Sequence, residues 1–502
     1  MTGRRGRVAF VERRRLSFVA AVVAAFALAG AASVLIHPAA TPPASGSVAA
    51  AVRGEPGATS TAWFCAGPLP VGTPHEASSI AIVNRAASPV TATVTIVLVS
   101  GATTTERFVV AGASESVVGL SHIRASSFAA ARVIVDGSGV EVVELVHGAA
   151  GPDASPCTEQ VTGTQYLMAG GTEAKDNLAI ALFDPGATPA VASVTFATPI
   201  GPQAPPAFQG VQVAAGHVVV LYVAHSLPFR RFVSATVRSS GGAIVAGALD
   251  IVTNQATTLE ALEGPIARPA TRWFFASAPA GASAQQTFDI LNPGKRTASV
   301  EIHLGGPTGV GEISLSLGPG ATTRYAPAPD ESAAALRWAS VTSRNDEPVV
   351  AARELAVASP IHVAARRARS AAARRRVALF RLPSLPVGFT VTTGVPGAAR
   401  QWILAGGQSD AHISEFVTVT NTGAVPATVE ITPIAGSFAG LGPFTVAADG
   451  SVVVDLADLA SAAGRLSLRV TSDVPVVAAD ELYVRAPGGS PGLAAPAALP
   501  VG

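Results

Sequence analysis

One pattern occurs four times between Trp63 and Leu482, and a chain written that way folds as copies of one unit. Each copy opens on an aromatic residue followed by apolar and small residues: Trp63-Phe-Cys-Ala-Gly67, Tyr166-Leu-Met-Ala-Gly-Gly171, Trp273-Phe-Phe-Ala-Ser277 and Trp402-Ile-Leu-Ala-Gly-Gly407. A turn follows 21, 18, 19 and 19 residues later, at Asn84-Arg-Ala, Asp184-Pro-Gly, Asn292-Pro-Gly and Asn421-Thr-Gly. The closing residues Leu145, Leu249, Leu355 and Leu482 lie 61, 65, 63 and 61 residues beyond those turns. Spacing is kept while residue identity is not, which is how a duplicated fold drifts.

Local patterning says what the unit is. Apolar strands enter each Asn/Asp turn and Thr/Ala/Ser-Val strands leave it, so the pair reads as a hairpin, with Asn or Asp tolerating the bend and Gly supplying positive φ. A central Gly-containing turn comes next. The copy then closes on a second expected hairpin, clearest at Leu468–Leu482, where period-2 apolar residues, Ser472-Asp473 and a Val/Ala run follow one another. About seven short strands per copy predict an all-β chain of four tandem immunoglobulin-like β-sandwich domains, with a β-propeller as the alternative. Pro89, Pro189, Pro348, Pro426 and Pro475 all fall at strand starts, where a missing N–H is tolerated. The opening aromatics read as core plugs. The paired acids Asp480-Glu481 read as a solvent-facing strand edge.

Outside the copies, Arg4, Arg5, Arg7, Arg13, Arg14 and Arg15 precede Leu16–Ile36, 21 residues without a charge. At ~1.5 Å per residue that stretch spans roughly 30 Å, a bilayer core. Basic residues on its N-terminal side predict a single pass with the N-terminus in the cytoplasm and the bulk outside; secretion after signal cleavage is the alternative. The expected plan is a basic tail (1–15), a transmembrane helix (16–36), a Pro/Ala-rich stalk (37–60), sandwiches at 61–158, 159–265, 266–360 and 396–488, an Arg-rich linker or insertion at 361–395 and a tail at 489–502. In that exported setting Cys65 and Cys157, the chain's two cysteines, are expected to form a disulfide stapling the ends of the first copy.

Charge narrows the partners. The formal net charge is +1 with 13% charged residues, so nothing global points to nucleic acid. The local exception is the insertion, where Arg366, Arg367, Arg369, Arg374, Arg375, Arg376 and Arg381 stand without an acid, a candidate anion-binding segment for lipid headgroups or a phosphate-bearing polymer. The nine histidines are scattered, and no zinc motif, nucleophile elbow or phosphate loop is written in the chain, so no metal, cofactor or catalytic residue is assigned. Asp455 with Asp458, or Asn345-Asp346-Glu347, read as solvated turns before ion sites.

With the anchor, the Trp63-Phe-Cys65 start and the Asn/Asp-x-Gly turns in place, the chain from Trp63 onward resembles an uncharacterised family of actinobacterial extracytoplasmic proteins, a domain of unknown function. The resemblance implies an envelope location and supplies no activity. The expected function is a non-catalytic structural or binding protein of the bacterial cell envelope, meeting a partner protein, a glycan or an anionic polymer. The alternatives are an accessory scaffold of an envelope-assembly or secretion complex, and a hydrolase with an unrecognised site.

Overall fold

Strands dominate because the copies alternate apolar and polar residues in short runs, and in the computed structural model the described residues form 33 strands. These are 60–72, 77–123, 127–148, 151–168, 170–173, 176–253, 258–276, 284–306, 309–327, 338–358, 386–409, 413–435, 440–456, 464–484, 492–495 and 497–501. The expected transmembrane helix and the stalk up to residue 59 lie outside them, as do all seven arginines from Arg366 to Arg381. No helix of the described residues is long and apolar enough to cross a membrane.

The first copy comprises β1 (Ser60–Val71), β2 (Ala77–Asn84), β3 (Val90–Leu98), β4 (Thr103–Val110), β5 (Ser114–Gly119), β6 (Ser127–Asp136), β7 (Val140–Gly148) and β8 (Gly151–Pro156). They make two antiparallel sheets, β1-β6-β3-β4 and β5-β2-β7-β8. The second has β9 (Thr164–Leu167), β10 (Asp176–Phe183), β11 (Ala190–Thr198), β12 (Gly201–Gln203), β13 (Val211–Val213), β14 (Val218–Tyr222), β15 (Ser234–Ser240), β16 (Val245–Thr253) and β17 (Thr258–Glu263). The third has β18 (Arg272–Ala276), β19 (Ala284–Leu291), β20 (Ala298–Gly306), β21 (Gly309–Leu317), β22 (Thr322–Tyr325), β23 (Trp338–Ser343), β24 (Val350–Ala358) and β25 (Pro386–Thr393). The fourth has β26 (Ala399–Ser409), β27 (Ile413–Thr420), β28 (Ala427–Ala435), β29 (Leu441–Val446), β30 (Ser451–Asp455), the 21-residue β31 (Gly464–Val484), β32 (Gly492–Ala494) and β33 (Ala497–Pro500). Each copy repeats the two-sheet order of the first, with β31 serving both sheets through its two halves.

Both expected hairpins are corrected. The strands flanking each Asn/Asp turn, such as β2 and β3, lie in opposite sheets, and so do β6 and β7 of the closing element. These connections are arches that carry the chain from one layer to the other, so no backbone ladder holds them. A buried side chain does so instead. Asn421, fully buried, donates from Nδ2 to the Val425 carbonyl (2.7 Å) and the Val446 carbonyl (3.2 Å) and accepts the Gly423 N–H on Oδ1 (2.9 Å). Asn84 and Asn292 make the same set. Left-handed backbone sits not here but in the central turn, at Ala113, Gly216, Gly320 and Asp449. A Cβ at Gly423 would stand 3.2 Å from the Asn421 Oδ1, a tight approach that the first copy accepts with Ala86 at the equivalent place.

Between the sheets the opening aromatics plug three cores. Trp63 pairs across to Val133, Trp273 to Val341 and Trp402 to Val470, and each indole is buried. The second copy departs from the expectation. Its register is one residue out, so Gln165 faces inward and Tyr166 outward, into an apolar cluster with Leu259, Ile266 and Trp273. Gln165 does chemically what the indoles do. Its Nε2 donates to the Ile244 carbonyl, at the position in the copy where the Trp273 and Trp402 indoles donate to Val349 and Val476.

The copies close on one another in a ring. Phe64 and Ala66 share a cluster with Phe183 and Val245; Tyr166 and Leu259 share one with Trp273; Leu355 of the third copy meets Leu493 of the fourth; Ile403 and Ala405 of the fourth meet Val83 and Leu145 of the first. The first strand of one copy packs on the seventh of the next at three of these contacts: β1 on β16, β18 on β31, and β26 on β7. Polar locks accompany the apolar seams. Arg353 pairs with Glu481 at 2.9 Å, the Ser467 hydroxyl donates to Glu115 at 2.5 Å, and Arg469 donates to the Arg85 carbonyl at 3.0 Å.

Candidate functional site

The segments after each closing Leu carry eighth strands. β8, β17, β25 and β32 each add to the edge of their own copy's seventh strand. They also pack side by side where the four copies meet, β8 on β17, β17 on β25, β25 on β32 and β32 on β8. Pro386–Thr393, assigned in sequence to the Arg-rich insertion, is therefore part of the third copy and of this hub.

Asp153 on β8 ties the hub together. Its Oδ2 accepts the Leu262 N–H from β17 at 2.8 Å, its Oδ1 accepts the Thr390 hydroxyl from β25 at 2.9 Å, and the Ala495 N–H beside β32 also reaches the carboxyl. Burial pushes the acid up to about 7, against the pull of those donors. A lone β-strand acid in a pattern of alternating residues gave no sign of this, because its partners come from three other copies.

One face of the hub opens into a cleft of about 400 Å³. Its apolar walls are Ile266, Trp273, Phe275, Val391, Val395 and Val477. Glu263, Arg353 and Asp480 lie deep in the lining, and Arg268 lines it in an exposed position. Phe274, half-buried in the wall, carries the exposed Arg272 guanidinium over its ring at 5.6 Å.

The deep polar groups are engaged inward. Arg353 donates to the Thr392 hydroxyl (3.2 Å), the Ala276 carbonyl (3.1 Å) and Glu481 (2.9 Å). Glu263 accepts the Met168 N–H at 2.7 Å, and the Trp273 indole donates to the Val349 carbonyl at 2.8 Å. The Asp480 and Glu415 carboxyls face each other; burial raises both, so the pair retains a proton. Asp480 and Glu481 are each 1% exposed, which overturns their reading as a solvent-facing edge. They sit on the half of β31 that the ring covers.

A second charged cluster lies between copies two and three. Arg324 forks onto Asp289 at 2.7 and 2.6 Å, reaches Glu354 at 2.8 Å and stacks 4.9 Å from the Phe232 ring. Asp250 beside it is raised well above its ordinary value by burial and by the charges of Asp176 and Glu354.

Cys65 and Cys157 form the expected disulfide, pinning the end of β8 to β1 next to the Phe64–Thr158 bridge. Among the described residues, two groups carry metal-type ligands. In the first, Glu144 faces the two cysteines, whose sulfurs are spent on their bond. In the second, Glu301, His303 and Glu312 converge on the outer sheet of copy three, where the Arg344 guanidinium already pairs with Glu301. Asn345 is a turn brace, accepting the Ser299 N–H and donating to the Thr297 carbonyl.

Fold and cleft thus define a class: a ring of paired antiparallel sheets with an apolar axial cleft. Residues 147–381 match a family of unknown function, DUF5719. No curated protein matches the chain. Among solved structures, a β-glucuronidase of Bacteroides uniformis is 12% identical, with 53% of this chain and 27% of that one covered and a TM-score of 0.11. An α-L-rhamnosidase of Streptomyces avermitilis is 9% identical, over 60% and 45%, at 0.13. A tetra-tandem repeat from the extending region of a large adhesion protein is 11% identical, over 83% and 92%, at 0.10. The chain spans less than half the length of either glycosidase.

Proposed function

We propose that this protein is a non-catalytic binding scaffold of the bacterial cell envelope, held outside the membrane by its N-terminal apolar segment, with four immunoglobulin-like sandwiches closed around one ligand cleft. The observation that carries the reading is the axial cleft itself, to which copies one, two, three and four all contribute lining residues. A binding site at the junction of repeats uses surface that no single copy could form. The Cys65–Cys157 bridge supports export, since such a bond persists in oxidising compartments. Asp480 and Glu415 could suggest a hydrolase, but Glu415 is fully buried and the two carboxyls face each other, so they are read as a structural lock.

A photoreactive residue placed at Ala479, in the cleft lining, and another at Val109, 64% exposed on β4, test the proposal in the native host. Adducts forming at Ala479 and not at Val109 support it. Adducts at Val109 alone would move the binding surface to the outer sheets and sink the cleft.

A further inference from the structure

We infer that the axial cleft holds the single acyl chain of an anionic amphiphile, with the head group at Arg268 and Arg272. The inference deepens the binding-scaffold reading and rests on it. What decides the ligand class is where the polar atoms of the lining point. Trp273, Arg353 and Glu263 spend theirs on Val349, on Thr392, Ala276 and Glu481, and on Met168, while the Asp480 carboxyl is turned to Glu415. A sugar entering the cleft would lose water and find those partners taken, a costly exchange for each hydroxyl. An alkyl chain meets Ile266, Phe275, Val391, Val395 and Val477 and loses nothing of that kind.

Charge then fixes the head group. The deep carboxyls are Glu263, bonded to a backbone N–H, and Asp480, paired with Glu415, while the Arg353 cation is matched by Glu481. At the exposed wall, Arg268 lines the cleft and Arg272 stands over the Phe274 ring, and among the described residues neither has a carboxylate within ion-pair distance. Apolar walls, deep charges that are already matched and cations at the rim complement an acyl chain ending in carboxylate or phosphate.

The test adds dansyl-labelled undecanoic acid, or its methyl ester, to the full chain and follows dansyl emission. Saturable binding of one probe per chain is expected, with the ester weaker by about tenfold, and Arg268→Gln with Arg272→Gln should bring the acid down to the ester's affinity. Ala479→Trp, which fills the cleft, should abolish binding of both probes while the melting transition is kept; Thr393→Trp on the exposed wall is the second block. Displacement by lysophosphatidic acid supports a phosphate head and displacement by decanoate a carboxylate. Equal affinity for acid and ester overturns the anionic head group, and unchanged binding in both blocked variants overturns the site. Should the probes fail to bind while the photoreactive residue at Ala479 still captures a ligand in cells, the amphiphile falls and the scaffold reading stands.

Discussion

Replacing Asp153 with Asn or Ala disturbs a carboxyl that touches all four eighth strands, and its effect can be worked from the contacts. The wild-type acid titrates near 7 in the fold and near its ordinary 3.8 when unfolded, because burial opposes its charge. The folded state therefore holds the proton more tightly. The stabilisation is fully present below the unfolded value and is lost as pH rises through about 4 to 7, a change on the order of 4 kcal/mol for this group alone. Burial likewise lifts Glu144 to about 8, against the Gly67 N–H that holds it at 2.9 Å, and the slope of stability against pH has the same sign there.

Urea unfolding at pH 5, 6, 7 and 8 reads this directly. The wild type should lose stability steadily from pH 5 to pH 8. Asp153→Asn carries no titrating proton, so it should flatten part of that fall and overtake the wild type at the alkaline end. Asp153→Ala leaves the Leu262 N–H and the Thr390 hydroxyl buried without an acceptor, at about 1–3 kcal/mol each, and should be the weaker of the two at every pH. A wild type that grows more stable between pH 5 and pH 8, or an Asn variant with the wild-type slope, would refute the assignment of the hub proton to Asp153.

Further outcomes follow from the same contacts. Asn421→Ala removes three hydrogen bonds from a fully buried arch and should cost about 2–4 kcal/mol in urea unfolding; a loss below about 0.5 kcal/mol would mean that the arch holds itself. Reducing the Cys65–Cys157 bridge, which closes a separation of 92 residues, should lower stability by about 4–5 kcal/mol in the chain-entropy account, and Cys65→Ser with Cys157→Ser should reproduce the reduced protein's melt. Arg353→Met leaves the buried Glu481 carboxylate with the Tyr483 hydroxyl at 3.1 Å and without its cation, at about 3–5 kcal/mol, and adding Glu481→Gln should recover most of it, so a double variant no better than the single one would argue against the pair.

The repeats were legible because spacing survives drift: the Asn/Asp turns and the closing Leu residues mark equivalent places in all four copies. What misled was the meaning of those turns. Asn, Gly and Ser between apolar runs signal a bend without saying whether the next strand pairs alongside or crosses to the facing sheet, and here it crosses. The offset of the second copy did leave a trace. Its opening aromatic stands 18 residues before the turn, and counting from Gln165 restores the 19 of the third and fourth copies. A buried glutamine at a tryptophan position is not a pattern that hydropathy favours, so the offset is faint in the sequence. The hub was beyond reach for a different reason: its bonds join residues as far apart as Asp153 and Thr390, which no local window contains.

The degenerate positions in the seventh strands carry the last step. At the second place before the closing Leu the copies hold Val143, Gly247, Arg353 and Asp480, and the place after it holds Glu144, Ala248, Glu354 and Glu481. In a string of independent domains such scatter would mean little. In the ring each of these strands meets a different neighbour. Gly247 has no room for a side chain because a Cβ would overlap the Gly67 carbonyl. Arg353 reaches across to Glu481 in the next copy, and Val143 packs in the cluster that holds Ile403 and Ala405. Interfaces that differ in this way fix which copy sits beside which, so the order of the four is specified at their seams while the fold of each is specified by its arches. Exchanging Gly247 for Val, the residue copy one uses, should therefore open the seam between copies one and two while leaving hydrogen exchange in the core of β23 and β20 unchanged. Uniform loss of protection across all four copies would show instead that ring and sandwich unfold as one cooperative unit.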